Sequence, residues 1–130
     1  MIDISDLLNV KFSNHGRNVK EGFDCYGLAI EVSRRFGHNL IDLWYSESTS
    51  ETFSQKVDEI KNKLGDLVVE TDEQEESNLI IFSDNKGNMI HIGVILEKGI
   101  FIHSSRLYGV KITKLEDYFL KKWKVYKWQK

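Results

Sequence analysis

The sequence has no proline and a single cysteine in 130 residues. Without proline there is no fixed-φ punctuation, so element boundaries rest on glycine, asparagine and aspartate. A single thiol excludes an internal disulfide, and the fold must rest on burial rather than on cross-links. Long apolar runs are missing too. No stretch approaches the roughly 20 residues that span a bilayer, and the opening Met1-Ile2-Asp3-Ile4-Ser5-Asp6 is acidic where a signal peptide would be basic. A net charge of -2 and a pI near 6.1 give no overall pull toward nucleic acid. The expectation is a chain that is cytoplasmic at synthesis, with no membrane span and no nucleic-acid partner.

What is present is enough apolar matter for a core. With 41% hydrophobic and 12% aromatic residues, the chain reads as one globular domain over 1–130. Its charge is unevenly spread. Glu70, Asp72, Glu73, Glu75 and Glu76 form an acidic stretch read as an exposed loop through Ser77. Lysines 111, 114, 121, 122, 124, 127 and 130 gather at the other end, as a solvated face or one that meets an anionic polymer.

The apolar pattern changes period midway. Ser5 to Val10 is expected as a short helix, and Lys11 to Gly22 as an ordered loop without period. Cys25, Leu28, Ala29, Val32 and Phe36 fall at helical spacing, with Asp24 as N-cap and Gly37 as terminator. Ser48-Thr49-Ser50-Glu51 has capping-box spacing and opens a second expected helix that ends at Gly65. From Asn78 onward the pattern is that of strands: Leu79 to Phe82, Ile90 to Leu96, Ile100 to Ser104, Val110 to Ile112 and Val125 to Trp128, after a brief run at Leu67 to Val69. Helices followed by an antiparallel meander make an α+β arrangement.

Cys25 stands at a helix start, where free amides favour thiolate and raise nucleophilicity. A base is then required, and imidazole is the usual partner near neutral pH. Of four histidines, His15 lies in a loop and His38 just past a helix end, whereas His91 and His103 each stand inside an expected strand. A three-residue loop Glu97-Lys98-Gly99 pairs Leu96 with Ile100 and puts His103 opposite Gly93, on the face that also carries His91. A two-residue loop would send the histidines to opposite faces. The same three side chains also form a possible zinc ligand set, with an open position for water.

Gly22-Phe23-Asp24-Cys25-Tyr26-Gly27-Leu28, followed by HIGVILEKGIFIHSS from His91, resembles the NlpC/P60 cysteine peptidases. The resemblance implies a papain-like fold, with the cysteine helix packed on an antiparallel sheet, and Cys25 as nucleophile, His91 as base and His103 as the residue orienting His91. It implies amide cleavage in peptidoglycan stem peptides, of the D-glutamyl to diamino-acid type, without a cofactor, by a form akin to short phage-tail or cell-wall hydrolases. It further implies action at the cell wall, as an exported protein or virion component, with tail or wall assembly proteins as partners. A non-catalytic wall-binding or tail-assembly domain is the alternative. Tyr26 departs from the serine common after the cysteine and is expected to shape the substrate cleft.

Overall fold

The computed structural model describes residues 2–42, 62 and 64–129. Its elements run in the order β1 (Arg17–Asn18), β2 (Gly22–Phe23), α1 (Cys25–Arg35), β3 (Val68–Thr71), β4 (Leu79–Ser83), β5 (Met89–Glu97), β6 (Ile100–Ser105), β7 (Gly109–Lys114) and β8 (Trp123–Trp128). A 3-10 turn at Leu115–Asp117 separates the last two. The strands β3 to β8 form one antiparallel sheet in the order β3-β8-β4-β5-β6-β7, and β1 and β2 form a separate small hairpin. The meander expected from Asn78 onward is β4 to β7, and β8 returns to lie beside β4.

Alternation along the strands separates two apolar layers. One face of the sheet offers Leu79, Ile81, Ile92, Val94, Ile102 and Val110 to the helix residues Leu28, Ala29 and Val32. The other face carries Ile80, Phe82, Ile95, Phe101 and Val125, covered by Leu115 with Tyr118 and Leu120. Strand β5 therefore has little polar surface, as suits a strand buried on both sides.

Three sequence expectations change. Ser5 to Asn9 forms turns rather than a helix, with the Leu7 amide donating to the Ile4 carbonyl and the Val10 amide to Leu7. Its short apolar edge buries Leu7 without propagating a helix. The aperiodic 11–22 segment holds most of the β1–β2 hairpin, which ends at Phe23 and is too short to show alternation. The acidic stretch begins inside β3, where Glu70 pairs with Tyr126 and Thr71 with Val125. The second helix expected from Ser48 to Gly65 falls almost wholly outside the described residues. Among the described residues, no helix is long and apolar enough to cross a membrane.

Candidate active site

The helix start is built from its cap outward. Asp24 sits in extended geometry at the N-cap of α1, and its Oδ1 accepts from the Gly27 amide at 2.6 Å. The same oxygen accepts from Arg17 Nη1 at 2.8 Å, and Oδ2 accepts from the His15 amide at 3.0 Å. One carboxylate thus holds the loop and the helix together. Gly27 is needed for this approach, since a Cβ there would lie 2.1 Å from the Gly16 carbonyl oxygen. The helix ends as expected, with the Gly37 amide donating to Arg34 at 2.9 Å.

One side-chain bond docks this helix start onto the sheet: Ser104 of β6 donates from its hydroxyl to the Phe23 carbonyl at 2.8 Å. The thiol is free of disulfide and half-buried.

The histidines depend on register. The β5–β6 turn closes on Lys98-Gly99, with Glu97 opposite Ile100, one residue tighter than the expected three-residue loop. A bulge at Leu96 absorbs the difference, so Ile95 pairs with Phe101 and Val94 with Ile102. That register carries on to set Gly93 beside His103: a Cβ on Gly93 would come within 3.3 Å of the His103 Cβ and 2.9 Å of the Ile102 carbonyl oxygen. The two imidazoles share a face and meet, His91 Nε2 lying 2.7 Å from His103 Nδ1 with the rings 81° apart. His103 Nε2 lies 2.9 Å from the Thr113 hydroxyl on β7.

Cys25, His91 and His103 line one cleft of about 1240 Å³, together with Tyr118, Lys111 and Arg106. Lys111 is the cross-strand partner of His103, and its ammonium lies over the Tyr108 ring at 4.6 Å. Arg106 stands over Phe12 at 4.9 Å and donates to Asn14 Oδ1 at 3.3 Å. His15 also lines the cleft, whereas His38 does not; it stacks on Trp128 at 4.6 Å.

The electrostatics correct one expectation. Burial, and then the Asp24 charge, push the Cys25 thiol up to about 12, against the lowering expected at a helix start. The Ile92 and Tyr26 amides and Arg17 act the other way, but burial outweighs them. His91 is lowered to about 3, first by burial and then by His103; His103 is lowered to about 4, by burial and then by Lys111. At neutral pH the resting group is a thiol beside two neutral imidazoles.

Tyr26 is mostly a core residue. Its side chain is 1% exposed and its hydroxyl donates to the Ile41 carbonyl, so most of the bulk after the nucleophile fills the core while Tyr26 still contributes to the wall of the cleft. The aromatic packed against both imidazoles is Tyr118, which sequence reasoning missed in the irregular 115–123 stretch. Its ring packs edge-on against His103 at 5.0 Å and near His91 at 6.1 Å, and burial followed by the proximity of Cys25 raises its hydroxyl to about 12.

The zinc alternative draws no support from this arrangement. Nε2 of His91 and Nδ1 of His103 face each other at hydrogen-bond distance and cannot both face one metal ion. Among the described residues, no group of three or more His, Cys, Asp or Glu side chains is placed to hold a metal ion.

Comparison with known proteins agrees with this architecture. The NlpC/p60 domain of the peptidoglycan hydrolase SagA is similar at 15% identity and a TM-score of 0.58, over 93% of this chain and 90% of that one. An NlpC/P60 family protein from Bacillus cereus ATCC 10987 is similar at 18% identity and a TM-score of 0.64, over 93% of this chain but 36% of that longer one. A search of curated proteins gave no match. These likenesses show the papain-like fold, in which helix α1 packs on the six-stranded antiparallel sheet. The family model described as NlpC/P60 matches residues 10–129, and the chain belongs to the NlpC/P60 family.

Proposed function

We propose that this chain is a cysteine amidase acting on peptidoglycan stem peptides, with Cys25 as nucleophile, His91 as base and His103 as the orienting residue. One observation carries the reading: the 2.7 Å contact of His91 Nε2 with His103 Nδ1, in the cleft lined by Cys25. Family membership and the peptidoglycan hydrolase among the similar folds support the substrate class. A D-glutamyl to diamino-acid amide is the bond proposed.

Because thiol and imidazole rest neutral, thiolate is not stored but made during attack. With Nε2 engaged by His103, the Nδ1 of His91 takes the thiol proton as sulfur adds to the amide carbonyl carbon. The Cys25 amide lies ahead of the first helical bond, from the Leu28 amide to the Asp24 carbonyl, and is the proposed oxyanion donor. His91 then gives its proton to the departing amine, and the C–N bond breaks. Water, relieved of a proton by the same nitrogen, cleaves the thioester to the free acid and restores the thiol.

The test follows new amine ends released from peptidoglycan fragments. Native protein should release them, and Cys25→Ala and alkylated protein should lose at least about 10³-fold in rate, with no effect of a chelator. Activity surviving in Cys25→Ala would remove the nucleophile claim. No release from any fragment would put a wall-binding domain in its place.

A further inference from the structure

The hydrogen-bonded chain does not stop at the second histidine. Thr113 lies on β7 two residues beyond Lys111, the partner of His103, and so on the same face of the sheet. Its hydroxyl is 2.9 Å from His103 Nε2, while His103 Nδ1 is 2.7 Å from His91 Nε2. A neutral imidazole carries one N–H and one lone pair, so the three groups can be wired in only two ways.

In the first wiring His91 Nε2–H donates to His103 Nδ1, and His103 Nε2–H donates to the Thr113 oxygen. The Nδ1 of His91 then holds a lone pair. In the second wiring the threonine hydroxyl donates to His103 Nε2, His103 Nδ1–H donates to His91 Nε2, and His91 Nδ1 already carries a proton. Only the first leaves His91 able to act as a base. It also puts both rings in the Nε2–H form, the commoner tautomer of free neutral imidazole. When His91 takes up a proton, the first wiring keeps its Nε2–H bonded without rearrangement.

We propose that Thr113 is a positioning residue that accepts the His103 Nε2 proton and thereby keeps the Nδ1 of His91 free to receive one. The inference deepens the amidase reading, and it assigns a role to a strand residue that never touches the substrate's reacting atoms. Removing the threonine oxygen leaves the His103 Nε2–H without an acceptor. A buried donor without a partner is less well tolerated than a bare lone pair, so the rings would turn to the second wiring.

The test reads the tautomers directly, by ¹⁵N NMR of histidine-labelled protein at pH 7, for native protein, Thr113→Val and Thr113→Ser. Native protein and Thr113→Ser should show protonated Nε2 and bare Nδ1 in both rings. Thr113→Val should move both rings toward the Nδ1–H form and lower kcat about 10- to 100-fold with little change in KM. Native rings found in the Nδ1–H form, or a folded Thr113→Val with native tautomers and native kcat, would overturn the proposal. If Thr113→Val fails to fold, the native and Thr113→Ser tautomers still decide it. The expected tautomers without amide release would overturn the amidase reading and leave the wiring intact.

Discussion

The two ends of the site are held by different physics. The thiol end is local: a capped helix start fixed by a carboxylate that binds the Gly27 amide, the His15 amide and Arg17 within a short span of chain. The imidazole end is non-local: two strands in one register, a bulge at Leu96, and rings packed against Phe82, Phe101 and Tyr118. Charge organises the first end, and dry packing organises the second. The difference teaches that a helix start does not by itself make a reactive thiolate. Here the capping carboxylate and the burial that position Cys25 also hold its proton on. The imidazoles are kept neutral by burial as well and so remain able to accept that proton.

The strongest way to break the comparison is at the non-local end. Gly93→Ala puts a methyl group 2.9 Å from both the Ile102 carbonyl oxygen and the Phe101 ring, in contact with His103. An ångström of misplacement should lower amide release about 100-fold, measured as kcat/KM, with a stability cost of about 1–3 kcal/mol by denaturant titration. Full activity in this variant would mean that the register does not matter to the site.

At the local end, the two roles of Asp24 can be separated. Asp24→Ala loses the cap and should cost about 1 kcal/mol of stability. Asp24→Asn keeps a capping oxygen but removes the charge that holds the thiol proton, so the pH midpoint of Cys25 alkylation should fall below the native value. An unchanged or higher midpoint would argue against the carboxylate's part in the shift.

A further effect is confined to acid. Both folded imidazoles have their pKa lowered, to about 3 and about 4 from 6.5. Between pH 6.5 and 4 the unfolded chain therefore binds more protons, and stability falls as pH drops through that window. His103→Gln should remove one proton from this uptake, softening the slope by about 1.4 kcal/mol per pH unit. Denaturant midpoints of native and variant protein across the window measure it, and identical slopes would show that His103 titrates normally.

The same division explains what could be read in advance. Helix α1 was legible from Asp24 to Gly37, because its cap, its apolar stripe and its terminator are neighbours in sequence. The four strands of the meander were legible from their short apolar runs and from the turn signal at Glu97-Lys98-Gly99. The pairing of His91 with His103 followed from counting across that turn, although the actual turn is tighter and Leu96 makes up the residue. Thr113 was missed because the strand expected at Val110 to Ile112 runs on to Lys114. Tyr118 was missed because its place depends on a 3-10 turn and on contacts with Phe82 and Phe101, none of which has a period. The sign of the Cys25 shift was misjudged because burial, which outweighs the helix-start amides, is set by tertiary packing that leaves no signal beside the cysteine in sequence.

The central claim is that sulfur and imidazole share one acyl transfer, and the covalent intermediate tests it most directly. Native protein mixed with a stem-peptide substrate, quenched in acid during turnover and digested for mass spectrometry, should carry the acyl fragment as a thioester on the Cys25 peptide. His91→Ala should carry little or none, since the proton would have nowhere to go. Turnover without an adduct on Cys25, or an adduct formed equally fast without His91, would contradict the account.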